Sequence, residues 1–267
     1  MQQLLVLIVA LIGSVQSVNI TKLSATSRKF NFHLRARIVG GRQTTIEDFP
    51  YQVSIVHDRS HTCGGSIYKP DIIITAAHCL VDIEMHDLAV VAGTTDWEGG
   101  GVETSIRKFV MHPKFDPKTF DYDIAILKLT DKLQYGPRIQ PITLPVYRQE
   151  FKPGSVGVVS GWGALGEDGD DPDELHFTSL KIVSNNECYK AYRDINPVTK
   201  NMMCAWIRKG GHGTCQGDSG SALVVGNVLA GIVSWGLGCA RPNVPEVYTK
   251  VSTFRRWLDL NIKSLNN

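Results

Sequence analysis

The chain has 267 residues, 43% of them hydrophobic and 20% charged, a globular balance that excludes a disordered or low-complexity protein. Its formal net charge of +2 argues against a nucleic-acid partner, which would call for a strongly basic face. The length accommodates one large core or two smaller ones.

In chain order, the opening "MQQLLVLIVALIGSVQS" carries an apolar run from Leu4 to Ile12. That run is too short to cross a bilayer but has the length of a secretory signal core, although no Lys or Arg precedes it. Val15 and Ser17 are small enough to frame a cleavage site, so residues 1–17 are expected to be a signal peptide and the protein to be secreted. No later segment is expected to meet a membrane. Residues 18–37, "VNITKLSATSRKFNFHLRAR", are polar, basic and without periodicity, and they hold the one glycosylation sequon, Asn19-Ile20-Thr21. From Ile38 the texture changes to "YQVSIV", "IIITAA", "LAVVAG", "IAILKL", "VGVVSGW", "ALVVGNVLAGIVSW" and "EVYTKV", strand-length runs separated by Gly, Pro and Asp. Many short Val- and Ile-rich strands between turn signals predict an all-β sandwich or barrel. Only "VSTFRRWLDLNIKSL" has helical spacing, with Phe254, Trp257, Leu258 and Ile262 toward one face.

The six cysteines are Cys63, Cys79, Cys188, Cys204, Cys215 and Cys239. In a secreted chain they predict three disulfides, in any of 15 pairings. The absence of Cys-x-x-Cys spacing argues against zinc, and neither a metal nor another cofactor is expected.

The stretch "GTCQGDSGSAL" sets Asp218 and Ser219 between glycines, as a tight turn that presents a hydroxyl or as a plain strand connection. A serine becomes a nucleophile only when a base takes its proton and a third group orients that base. His78 ends the apolar "IITAAHC", beside a cysteine. Asp123 precedes the apolar "IAILKL", where a half-buried carboxylate needs a partner. Each residue alone has an ordinary reading, a core histidine or a turn aspartate. His57, in a "HDR" loop, is not expected to be the base.

The order His, Asp, Ser in "TAAHC", "DYDIAIL" and "GDSG" resembles the trypsin/chymotrypsin family of serine proteases, in its invertebrate chymotrypsin-like form. "IVGG" at 38–41, "CGGSI" at 63–67, "SGWG" at 160–163, "SWG" at 234–236 and "VYTKV" at 247–251 extend the resemblance from Ile38 to the end, making 38–267 the catalytic domain. It implies two six-stranded antiparallel β-barrels with a C-terminal α-helix and a cleft between the barrels. His78 would be the general base, Asp123 its orienting partner and Ser219 the nucleophile, with the amides of Gly217 and Ser219 as the oxyanion hole. The implied disulfides are Cys63–Cys79, Cys188–Cys204 and Cys215–Cys239. Protein and peptide substrates, an activating protease and protein inhibitors are the expected partners of a monomer, in digestion above all. A silent homologue that only binds is the alternative.

The resemblance also implies a switch. Cleavage after Arg37 would free the amine of Ile38 to pair with Asp218, making 18–37 a propeptide, and activity should fall in alkali as that amine deprotonates. Ser54 and His61 resemble residues that hold this aspartate in some zymogens, or are ordinary strand residues.

For specificity, the expected pocket comprises Gly213, Thr214, Gln216, Ser234, Trp235, Gly236 and Glu246. Gly213 stands where trypsins carry aspartate, which favours large hydrophobic or aromatic side chains. Glu246 replaces a usual glycine and, pointing inward, would admit Lys and Arg when ionised. Ser221 follows the nucleophile turn where relatives have glycine, so strain is expected there. The acidic loop 166–174 is read as solvated, or as favouring basic residues beyond the cut. Calcium binding is not expected near Gly93-Thr94-Thr95.

Overall fold

Val- and Ile-rich segments form strands here because each branched side chain finds neighbours on a pleated, buried surface. The computed structural model describes residues 38–167, 169, 170 and 172–265. The expected signal peptide, residues 18–37 with Asn19 and Arg37, and Asp168 and Asp171 of the acidic loop lie outside the described residues.

After a two-residue strand β1 (Arg42–Gln43) come β2 (Gln52–His57), β3 (Ser60–Lys69), β4 (Ile72–Thr75), β5 (Leu88–Ala92), β6 (Val102–Met111) and β7 (Ala125–Leu129). These last six close into an antiparallel barrel in the order β2-β3-β4-β7-β6-β5. The second half supplies β8 (Val156–Gly161), β9 (His176–Val183), helix α1 (Asn185–Tyr192), β10 (Met202–Trp206), β11 (Ala222–Val225), β12 (Val228–Trp235), β13 (Glu246–Lys250) and helix α2 (Val251–Leu265). Its sheet runs β9-β10-β13-β12-β11-β8, and a β8–β9 pairing closes it into a second barrel. The expected all-β, two-barrel fold with a C-terminal helix is the observed one.

The chain ends cross over. β1, which precedes the first barrel, pairs with β9 of the second through Arg42↔Phe177. Conversely α2, which follows the second barrel, buries Val251, Phe254, Leu258 and Ile262 in the core shared with Ile73, Ile74 and Ile126 of the first. Trp257 is only partly buried against that core.

The apolar runs all became strands, but β3, β6, β9 and β10 were not anticipated. β6 and β9 alternate buried and exposed positions, so neither shows a continuous apolar stretch. The five buried residues of β10, "MMCAW", lack Val and Ile. α1 was also missed, although Ser184 and Glu187 have capping spacing and the Ser184 hydroxyl accepts the Glu187 N–H.

Phe254 is 3% exposed, so Phe254→Ala should leave a cavity beneath α2 and lower stability by about 3–5 kcal/mol. A urea unfolding midpoint that drops with an unchanged slope is the expected measurement.

Candidate active site

The antiparallel register of the first barrel creates the His–Asp pair. Thr75 at the end of β4 lies opposite Ala125 at the start of β7, so the residues just beyond each strand end are neighbours. Ala76 and Ala77 are fully buried and turn the chain into the short helical turn His78–Leu80. The His78 N–H donates to Asp123 Oδ1 at 2.9 Å, and His78 Nδ1 lies 2.8 Å from Oδ2. Asp123 is wholly buried. The second barrel contributes as well: the Ser234 hydroxyl donates to Oδ2 at 2.5 Å, and that of Thr249 to the Asp123 carbonyl at 2.6 Å. A carboxylate can only accept, so Nδ1 carries a proton toward Asp123, while Nε2 on the other side of the ring lies 3.9 Å from Cys79 Sγ. The ring packs edge-on against Phe120, and its side chain keeps 20% exposure.

Ser219 rides on a turn flanked by Gly217 and Gly220, with φ of 88° and 83°. A Cβ at Gly220 would overlap the Thr75 hydroxyl and the Gly64 carbonyl, so the turn requires glycine for contact as well as for φ. The Gly64 N–H donates to the Ser219 carbonyl at 2.7 Å, docking the turn on β3 of the first barrel. Gly64 adjoins Cys63, whose disulfide reaches Cys79 beside His78. Ser219 and His78 are thus linked by one short covalent and hydrogen-bonded path. The Ser219 hydroxyl itself makes no hydrogen bond among the described residues.

Two peptide planes orient candidate oxyanion donors. The Ala164 N–H donates to the Gln216 carbonyl at 2.7 Å, and the Ser221 N–H to the Asp218 carbonyl at 3.0 Å. In a trans peptide the following N–H points the other way, so the Gly217 and Ser219 amides turn away from these donors. Among the described residues neither amide has a backbone acceptor.

Asp218 is fully buried and accepts from the Gly163 and Cys215 amides at 3.0 Å each. Side chains at Gly161 or Gly163 would collide with its carboxylate, which explains the glycines of "SGWG". Ile38 is also fully buried, and the Val39 carbonyl accepts from the Gly213 amide at 3.1 Å, so "IVGG" is inserted in the second barrel. Ser54 and His61 do not hold Asp218. The Ser54 hydroxyl meets His61 Nδ1 at 2.7 Å, and Nε2 meets the Gly217 carbonyl at 2.9 Å. Burial pushes His61 down to about 4, so the ring is neutral, taking a proton from serine and giving one to the carbonyl.

A pocket of about 160 Å³ opens beside Ser219, lined by Thr214, Gln216, Ser234, Trp235, Gly236 and Glu246 among others. The disulfide Cys215–Cys239 ties its two walls together, while Cys188–Cys204 staples α1 to β10. Gly213 does not line the pocket; the Glu246 carboxylate occupies the space a Gly213 side chain would need. Along β13, Glu246 and Tyr248 fall on one face. The Tyr248 hydroxyl donates to Oε2 at 2.7 Å, the Thr214 hydroxyl to Oε2 at 2.9 Å and the Thr214 amide to Oε1 at 2.7 Å. Burial raises Glu246 to about 7, against the pull of the Tyr248 and Thr214 donors. Tyr248 is pushed far above its usual range, chiefly by burial, and stays a donor.

Ser221 does not have positive φ, so serine there carries none of the expected strain. Its hydroxyl instead accepts from Gln52 Nε2 at 3.1 Å, while Gln52 Oε1 accepts from Ser160 at 2.9 Å, a neutral relay across the barrels. In the acidic loop, Glu167 is bound to the pocket rim: Oε1 accepts from the Cys239 amide at 2.9 Å and Arg241 Nε at 2.7 Å. The Arg241 guanidinium holds its carboxyl down at about 2. Sequence reading missed the Asp123 contact of Ser234, the Tyr248 donor and the Gln52 relay; of these, only Tyr248 left a local signal, two residues beyond Glu246.

Ser234→Ala removes a donor to a buried charge, a bond worth about 1.5–3 kcal/mol. A roughly tenfold lower kcat/KM on a small ester, with unchanged labelling of the folded pool by conformational antibodies or circular dichroism, is the expected outcome.

The family model described as Trypsin matches residues 38–258. Hypodermin-B of Hypoderma lineatum is 45% identical over 234 residues, covering 86% of this chain and 90% of that protein. The vitellin-degrading protease of Bombyx mori is 40% identical, with 86% and 87% covered, and trypsin alpha of Drosophila erecta is 41% identical, with 84% and 87% covered. With this likeness spanning both barrels, the chain belongs to the trypsin family and is a serine endopeptidase that acts on protein substrates.

Proposed function

We propose that the protein is a secreted zymogen, activated by cleavage after Arg37, that cuts after large hydrophobic or aromatic residues and admits Lys and Arg when Glu246 is charged. The observation that carries this reading is the hydrogen-bonded His78–Asp123 pair, tied to the Ser219 turn through Cys63–Cys79 and Gly64, with Glu246 lining the pocket beside Ser219. In this reading Ser219 Oγ attacks the scissile carbonyl while His78 Nε2 takes its proton. The oxyanion accepts from the Gly217 and Ser219 amides, where loss of one donor typically slows such reactions about 10²–10³-fold. His78⁺, balanced by Asp123, then protonates the departing amine, and water repeats the sequence on the acyl-enzyme. The buried Ile38 and Asp218 support activation, because a new ammonium beside a buried carboxylate favours the ordered turn. Three disulfides and the apolar leader support secretion, as a monomeric digestive enzyme of residues 38–267 behind a propeptide at 18–37.

Arg37→Gln should leave the intact chain inert toward a serine-directed fluorophosphonate when treated with trypsin, whereas the wild type should gain labelling at Ser219 after the same treatment. Equal labelling of both proteins would overturn the switch, and no labelling of either would overturn the nucleophile.

Glu246 makes specificity pH-dependent. Its raised value keeps it neutral below about 7, where an aromatic side chain meets no charge, and ionised above, where a cation is attracted. The ratio of kcat/KM for Arg over Phe substrates cancels any pH dependence common to both substrates. It should rise about tenfold from pH 6 to 8.5, through a midpoint near the free-enzyme value. Glu246→Gln should flatten it at the low-pH level; a ratio that still titrates would remove Glu246 from the pocket's role.

A further inference from the structure

A second cleft, of about 550 Å³, lies where α2 meets Tyr122, the 147–150 loop and Lys200. The first 37 residues hold five Lys and Arg and no Asp or Glu, so the remainder carries −3 while the whole chain carries +2. On this acidic catalytic domain the cleft concentrates positive charge. Arg148 and Arg256 place their guanidinium carbons 5.1 and 4.1 Å from the centre of the same Tyr147 ring. Lys200 lines the cleft, and Lys114 lies over the ring of Tyr122, another lining residue. None of these four cations has an ion-pair partner among the described residues.

The acids that face this region are already engaged. Glu150 takes Lys250 Nζ at 2.6 and 2.7 Å, and Asp259 takes Arg255. Asp121 accepts from Thr199 and Asn201. His112, the lining histidine, is lowered by burial and then by Lys114, which disfavours a further positive charge there.

Arg148, Arg256 and Lys200 repel one another, the lining carboxylate of Glu150 being taken by Lys250, and the repulsion is relieved by an anion. Stacking on Tyr147 fixes the guanidinium planes while leaving N–H edges free for two-pronged oxyanion contacts. The cleft also shares a wall with the active site. Tyr122 immediately precedes Asp123, and Phe120 of the same segment packs on the His78 ring.

We propose that this cleft is an exosite for acidic segments of protein substrates, contacting Asp and Glu side chains through Arg148, Arg256 and Lys200. The inference rests on the Ser219 reading for its assay. The test uses the activated enzyme and a quenched peptide with one cleavage site. Neutral spacers of about 4, 8 or 12 residues join that site, on either side, to a block of alternating Asp and Glu or of Gly and Ser. The acidic block should raise kcat/KM about tenfold in dilute buffer, at one side and spacer length, with the gain fading by about 0.5 M salt. The variant Arg148→Gln/Lys200→Gln/Arg256→Gln, altered only at exposed positions, should lose the gain and keep wild-type kcat/KM on the blockless peptide. No acidic gain at any spacer, or a gain that survives the triple change, overturns the exosite. A sulfated oligosaccharide that binds the wild type but not the variant, with no gain from acidic peptides, overturns it in favour of a glycan site. Failure to cleave the blockless peptide, together with no fluorophosphonate labelling, reports instead on the Ser219 reading.

Discussion

A desolvated carboxylate at a seam governs this structure. Asp123 comes from the first barrel, has no exposure, and satisfies its oxygens with two groups of His78 and the hydroxyl of Ser234 from the second. A buried charge without donors would be costly, so the two barrels must meet in one relative position for it to be tolerated. That position also sets the Ser219 turn against Gly64, beside the disulfide that carries His78. Chemistry and architecture therefore share one requirement. The crossed chain ends reinforce it, since each barrel is completed by a segment that is sequence-adjacent to the other.

Glu246 reaches the pocket beside Ser219 from β13, its carboxylate filling the space next to Gly213. Because Tyr248 and Thr214 already donate to both oxygens, the carboxyl is fixed in place whatever occupies the pocket. Its ionisation reflects a balance between dry surroundings and three donors, and a modest change in either moves the balance.

Much of this was legible in the chain itself. Strands with continuous Ile or Val, such as β4 and β12, announce themselves because both faces are buried. His78, Asp123 and Ser219 were legible through the motifs around them, and Glu246 through its departure from the expected glycine. Strands that alternate, such as β6, dilute their own signal with solvated positions. Contacts between distant positions left no local trace: nothing near Ser54 or His61 tells whether the ring grips Asp218 or the Gly217 carbonyl. Nor does a glutamine at 52 announce that it will meet serines 108 and 169 positions away.

That glutamine has a consequence of its own. The links Ser160–Gln52–Ser221 join the barrels behind the nucleophile using only hydroxyls and an amide, groups that neither gain nor lose protons in ordinary fluids. Ionic strength screens opposite charges far more than it weakens such neutral contacts. The seam behind Ser219 therefore keeps the same two links in dilute and in salty surroundings, independent of the charge on Glu246 or on the rim pair Glu167–Arg241.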